Sequence, residues 1–212
     1  KNEEIQSTIS DIIGSSNFND TSTKVSLNLY TAESINLSTV LNLETYAIAE
    51  SWNEGKGRFT NLPSSSTGAT WITRDGSVSN TEWTTGSFSN GTTGSVMNST
   101  SITQGGGVWY TGSGFYTTQQ FYNESTLDTD FDVTTIVQKH SASLFANSTY
   151  PDGITNNGFI IKQPNSIETN TSSSFGQMKY FSVDTHTIYP PRLAFKWDDA
   201  DYSPNTQIYS GG

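Results

Sequence analysis

Short apolar runs separated by Ser, Thr, Asn, Gly and Pro set the pattern of this chain, most clearly between Leu127 and Trp197. The runs there are Phe131-Asp132-Val133-Thr134, Ile136-Val137, Gly158 to Lys162, Lys179 to Ser182, and Arg192 to Trp197. Runs this short, bounded by turn formers, predict strands of a layered β fold. Upstream, Val25, Leu27 and Leu29 alternate with Ser26 and Asn28, which predicts a half-buried strand. A second strand runs from Leu41 to Ala49. Its apolar phase changes near Thr45, predicting a bulge or a crossing at a sheet edge. The first residues follow another period: Ile5, Ile9, Ile12 and Ile13 share one face of a short amphipathic helix, which the polar run Ser15 to Thr23 ends.

The pattern predicts an all-β fold: a jelly-roll-like β-sandwich over residues 25–199 with long Gly/Ser/Thr-rich loops. Residues 1–24 form the short helix and a linker or interface segment, and residues 200–212 a polar linker toward a further segment. Lys1-Asn2-Glu3-Glu4 resembles neither a signal peptide nor a natural start, so the chain is expected to lie within a longer polypeptide.

The loops hold most of the candidate chemistry. Ser51 to Arg58 packs two glycines close together and predicts a tight turn; no helix pattern follows to cradle a phosphate. Trp52 is expected to plug the end of the core, with Glu54 and Arg58 as a local pair. Residues 60–107 read as surface loops, with a short strand around Trp71 entering the Asp75-Gly76 turn. Gly105-Gly106-Gly107 then leads to Val108-Trp109-Tyr110 and, past Gly112 and Gly114, to Phe115-Tyr116. Glycines interleaved with aromatics make either a flat platform for sugar rings, a protein interface, or core packing between closely approaching strands. Trp109, Tyr110, Phe115 and Tyr116 are therefore the candidate ligand-binding residues.

Asp128, Asp130 and Asp132 alternate, so on an extended strand they share the solvent face. Such a face is either simply solvated or, joined by loop carbonyls, a calcium site. Thr134 is placed to cap a short turn holding Ile136 and Val137. Asn156-Asn157-Gly158 is a turn feeding the strand Phe159 to Lys162, and Asn165 to Ser174 is a polar loop. Pro190 and Pro191 lack backbone donors, so they must precede the last strand rather than sit within its ladder. Val133, Phe159, Trp71 and Trp197 complete the expected structural set, and Asp198, Asp199 and Asp201 open the polar tail.

Composition narrows the function. Hydrophobic residues are only 32%, but 11 Phe, 10 Tyr and 5 Trp supply large buried areas. With 20 acidic against 10 basic residues the net charge is -10, which repels a nucleic-acid backbone. The chain has no cysteine, excluding disulfides and thiolate chemistry, and no run long enough to span a bilayer. Low charge, abundant Ser/Thr/Asn and absent Cys fit a protein made inside a cell and stable outside it. His140 and His186 are the only histidines, and neither sits in a visible arrangement of nucleophile, base and orienting group. Glutamates for glycoside cleavage are available, but only their separation in space decides that chemistry. The expectation is a protein without enzymatic activity.

Trp52-x-Glu54-Gly55, Thr70-Trp71, Phe131-Asp132-Val133-Thr134-x-x-Val137, Asn157 to Lys162, Phe181-Ser182 and Pro191-Arg192-Leu193 follow one another in an order that resembles DNRLRE-type β-sandwich domains. Thr187 to Pro191 with Lys196 to Asp199, and Ser51-Trp52-x-x-Gly55-x-Gly57-Arg58 upstream, resemble more narrowly a virion structural protein of tailed phages. The resemblance covers roughly Val25 to Asp199. It implies a structural module in a tail, baseplate or neck, contacting other virion proteins and copies of itself. The alternative it implies is a carbohydrate-binding module for attachment to a host surface glycan. The chain departs from the family in lacking its opening strand before Val25 and the Trp after the Asp-Val-Thr motif. In a cellular adhesin, a third reading, Asn36, Asn98 and Asn147 would be glycosylation acceptors.

Overall fold

The computed structural model describes residues 23–55, 67–76, 81–84, 87–89, 95–98, 107–122, 126–142, 153–168 and 176–196. The expected N-terminal helix, Arg58, Asn147, Trp197 and the C-terminal tail lie outside the described residues. The fold is mostly β-sheet, built from several antiparallel sheets and one internal helix. The strands are β1 (Lys24–Leu29), β2 (Thr31–Ile35), β3 (Val40–Ala47), β4 (Thr73–Asp75), β5 (Thr81–Glu82), β6 (Ser87–Ser89) and β7 (Ser95–Asn98). They continue with β8 (Val108–Tyr110), β9 (Tyr116–Tyr122), β10 (Thr129–Asp132), β11 (Phe159–Lys162), β12 (Gln177–Tyr180) and β13 (Arg192–Lys196). The helix α1 spans Thr134–Ala142, and a single helical turn, α2 (Asn165–Glu168), stands where a polar loop was expected.

Neighbours in the sheets are distant in sequence. β1 lies between β10 and β13, β3 between β11 and β9, and β12 pairs with β2. Two small sheets, β4-β5 and β6-β7-β8, are also formed. In β1, Val25 pairs with Phe195 and Leu27 with both Phe131 and Leu193, so one row of apolar side chains runs across the sheet. Lys179 of β12 and Glu33 of β2 form a cross-strand ion pair.

The bulge expected near Thr45 is absent. β3 keeps one register with β9 from Val40 to Tyr46 and one with β11 from Glu44 to Ala47. Leu41, Leu43, Thr45 and Ala47 all face inward. The apolar phase breaks at Thr45 because a hydroxyl occupies an inner position. Tyr46 on the other face stacks on Tyr116, ring centres 5.2 Å apart. The phase changes later, at Ile48, which leaves the strand through an isolated bridge to Trp109.

One hydrophobic cluster joins β1, β3, β8, β9, β10 and α1: Val25, Leu41, Leu43, Phe121, Phe131, Ile136 and Val137 are among its buried members. The turn expected at Ile136 and Val137 is a nine-residue helix. Its first bond runs from the Val137 N–H to the Val133 carbonyl at 2.9 Å. Thr134 does not cap it by the expected route. The Asp132 carboxylate accepts the Thr134 N–H at 3.1 Å, while the Thr134 hydroxyl accepts the Val25 N–H at 2.8 Å and donates to Asp132 at 2.6 Å. His140 is buried near the helix end with its ring centre 5.8 Å from that of Phe159, and burial lowers its pKa to about 4.

Candidate functional site

Trp109, Tyr110, Phe115 and Tyr116 do not form one surface. Trp109 is 1% exposed, and Tyr110 and Phe115 are also buried; Tyr116 alone, 45% exposed, reaches solvent. The three-residue strand β8 is covered on both faces, which explains why every side chain in it is inside. Val108 and Tyr110 join the main cluster, and Tyr110 stacks on Phe115 at 5.2 Å. Trp109 packs against Tyr46, ring centres 5.8 Å apart, with the Lys162 ammonium 5.2 Å from its ring centre. Lys139 lies 4.3 Å from the Phe115 centre. Of the three readings left open by the sequence, core packing describes Trp109, Tyr110 and Phe115.

The three aspartates are each engaged locally. Asp130 and Asp132 lie on the exposed face of β10, as the alternation predicted, and Asp128 precedes the strand. Asp128 accepts the Thr31 N–H at 2.8 Å and Asp130 the Asn28 side-chain amide at 2.8 Å; Asp132 holds Thr134. The Asp128 carboxylate also adds to burial in raising the pKa of Tyr180. Among the described residues no group of three His, Cys, Asp or Glu side chains that could hold a metal is formed.

The indoles differ in how far they are covered. Trp52 is 42% exposed and Trp71 is exposed too, while Trp83, in a loop-rich stretch, is buried. Trp83 follows β5 and donates its indole N–H to the Thr70 carbonyl at 3.1 Å, a partner no local pattern announces. Val133 is fully buried, Phe159 is half-buried, and Pro190 and Pro191 are exposed just before β13, as their missing donors require.

Trp52 instead walls a groove of about 570 Å³ built from three distant segments. The first, Ser51 to Glu54, continues from the end of β3; the second is Arg74 and Asp75 of β4; the third is the turn Asn156 to Gly158 before β11. Main-chain bonds fix them together: Asn53 N–H to the Arg74 carbonyl at 3.0 Å, Ala69 N–H to the Asn53 carbonyl at 2.7 Å, and Ile48 N–H to the Gly158 carbonyl at 3.1 Å. The Trp52 indole N–H donates to the Asn157 carbonyl at 2.8 Å, which sets the ring's orientation. Arg74 donates to the Ser51 carbonyl at 3.0 Å and to its hydroxyl at 3.2 Å. Asn53 and Asn156 each fold a turn by accepting the N–H two residues on, Gly55 and Gly158. Trp52 also lines a smaller pocket of about 240 Å³ with Trp83, Phe159 and Ile161.

The sequence held one usable signal for this groove: Trp52 sits among polar residues and glycines rather than in an apolar run. No protein-family model, curated protein or solved structure matches this chain.

Proposed function

We propose that this chain is a non-catalytic structural module of a virus particle of the tailed-phage type, acting in the tail, baseplate or neck through contacts with neighbouring subunits. On this reading the sheets β10-β1-β13 and β11-β3-β9 are the two faces of a jelly-roll-like sandwich closed over the common cluster. The ordered motifs from Trp52 to Leu193 support the particle setting.

The observation that carries the reading is the loop between β12 and β13. It holds Val183 and Ile188 in solvent, 77% and 83% exposed, on an aromatic base. Tyr189 packs between Tyr30, at 5.2 Å, and Phe181, at 6.3 Å, and the Arg192 guanidinium lies 5.5 Å from the Tyr30 ring centre. The Phe181 N–H binds the Tyr30 carbonyl at 3.0 Å, and Ser182 and Thr185 bond to each other within the loop. Pro190 and Pro191 stiffen its exit. Aliphatic side chains presented on a pre-ordered loop lose little entropy on contact, which suits them to an assembly interface.

The test is incorporation. The double substitution Val183→Asp with Ile188→Asp leaves the isolated chain folded but removes it from purified particles. Normal incorporation of that variant, or absence of the native chain from particle density, overturns the reading.

A further inference from the structure

The geometry points to the Trp52 groove as a binding site for an uncharged saccharide, in which one pyranose ring lies on the indole and its hydroxyls meet the polar walls. The inference goes beyond assembly and does not depend on the loop at Val183 and Ile188.

A sugar ring has one face rich in C–H groups and a rim of hydroxyls, so its site needs a flat exposed aromatic beside convergent polar groups. The groove has both. Trp52 is held by its indole N–H on the Asn157 carbonyl, leaving the ring exposed without rotational freedom at that bond. Around it stand Asn53, Glu54, Arg74, Asp75 and Asn156, which combine carboxylate acceptors with amide and guanidinium groups. Vicinal hydroxyls, each both donor and acceptor, match such a mixed wall. The walls are fixed by main-chain bonds between segments far apart in sequence, so the site exists before a ligand arrives.

Charge excludes an anionic chain. The groove sets two carboxylates against one guanidinium, and that guanidinium already donates to Ser51. With a chain charge of -10 as background, a uronate or sulfated chain is repelled. The volume of about 570 Å³ suits a short stretch of a chain rather than a single small ion.

The experiment titrates the purified chain with maltohexaose, cellohexaose and chitohexaose as neutral probes, hexagalacturonate as an anionic one and a chitosan hexamer as a cationic one. Tryptophan fluorescence and calorimetry read binding. At least one neutral probe is expected to bind saturably and better than either charged probe. Trp52→Ala is expected to weaken it about tenfold or more, as loss of a central aromatic contact does. Glu54→Ala, at an exposed position outside the core, weakens it as well, while Trp71→Ala, an exposed indole outside the groove, leaves it unchanged. Binding of no neutral probe, preference for a charged probe, or affinity indifferent to Trp52→Ala and Glu54→Ala overturns the inference. Because Val183 and Ile188 are untouched, failure here leaves the incorporation test standing, and the reverse holds too.

Discussion

The hydroxyl of Thr134 accepts the backbone N–H of Val25 at 2.8 Å, joining the first turn of α1 to β1 across 109 residues of sequence. The same hydroxyl donates to Asp132, and Val25 itself is fully buried. The bond satisfies a main-chain donor in a region water does not reach, so its loss leaves an orphaned buried group. Thr134→Val, nearly equal in shape, is expected to destabilise the fold by about 1–3 kcal/mol. Chemical denaturation measures it, and an unchanged midpoint refutes the role given to this hydroxyl.

Trp109 is buried and Trp52 is half exposed, so truncating them costs different amounts. Trp109→Ala removes a buried indole and should cost about 3–5 kcal/mol. Trp52→Ala removes a half-exposed ring with partial apolar contact and one bond to a carbonyl, and should cost less, about 1–2 kcal/mol. Melting curves of the two variants side by side decide this; equal losses contradict the assignment.

His140 makes stability depend on pH. Its folded pKa, lowered by burial from 6.5 to about 4, outweighs the preference of a helix C-terminus for a cationic ring. Between those values the unfolded chain binds more protons than the folded one. Stability from this group is therefore whole above pH 6.5, declines as pH falls toward 4, and changes no further below that. The loss across the window is on the order of 3 kcal/mol. His140→Leu should flatten the pH dependence there, and an unaltered slope in that variant would exclude His140 as its source.

Gly55 ties the groove to its supporting loop. Its φ is +75°, and a β-carbon there would lie 2.6 Å from the Gly68 α-carbon. Gly55→Ala meets both a strained backbone and a contact with main chain that no side-chain rotation relieves, and should cost about 1–3 kcal/mol or more. It is also expected to abolish saccharide binding. A variant with native stability and native affinity shows that the two backbones do not need their close approach.

Much of the strand pattern was legible in the sequence because alternation reflects only local geometry. Val25 and Leu27 in β1, Phe131 against Asp130 and Asp132 in β10, and the two prolines before β13 stand where that geometry put them. Thr45 misled because polarity is a poor guide to direction when a strand is covered on its inner face by closely packed neighbours. The sequence shows less of the helix at Ile136 than the structure does, since Thr134 and Lys139-His140 interrupt its apolar face and only tertiary contacts from β1 and Phe159 favour burying it.

What the sequence determined by itself was therefore the β character of the chain, the alternation of its strands and the absence of thiol chemistry, all consequences of residue type and short-range spacing. Which aromatics went inside was decided by tertiary structure alone. Trp109 is buried because Tyr46, Lys162 and Ile48 arrive from other strands to cover it, and Trp52 is exposed because Asn157 holds its ring at the mouth of a groove. Burial is a property of surfaces meeting, and no single segment of a chain contains both of the surfaces that meet.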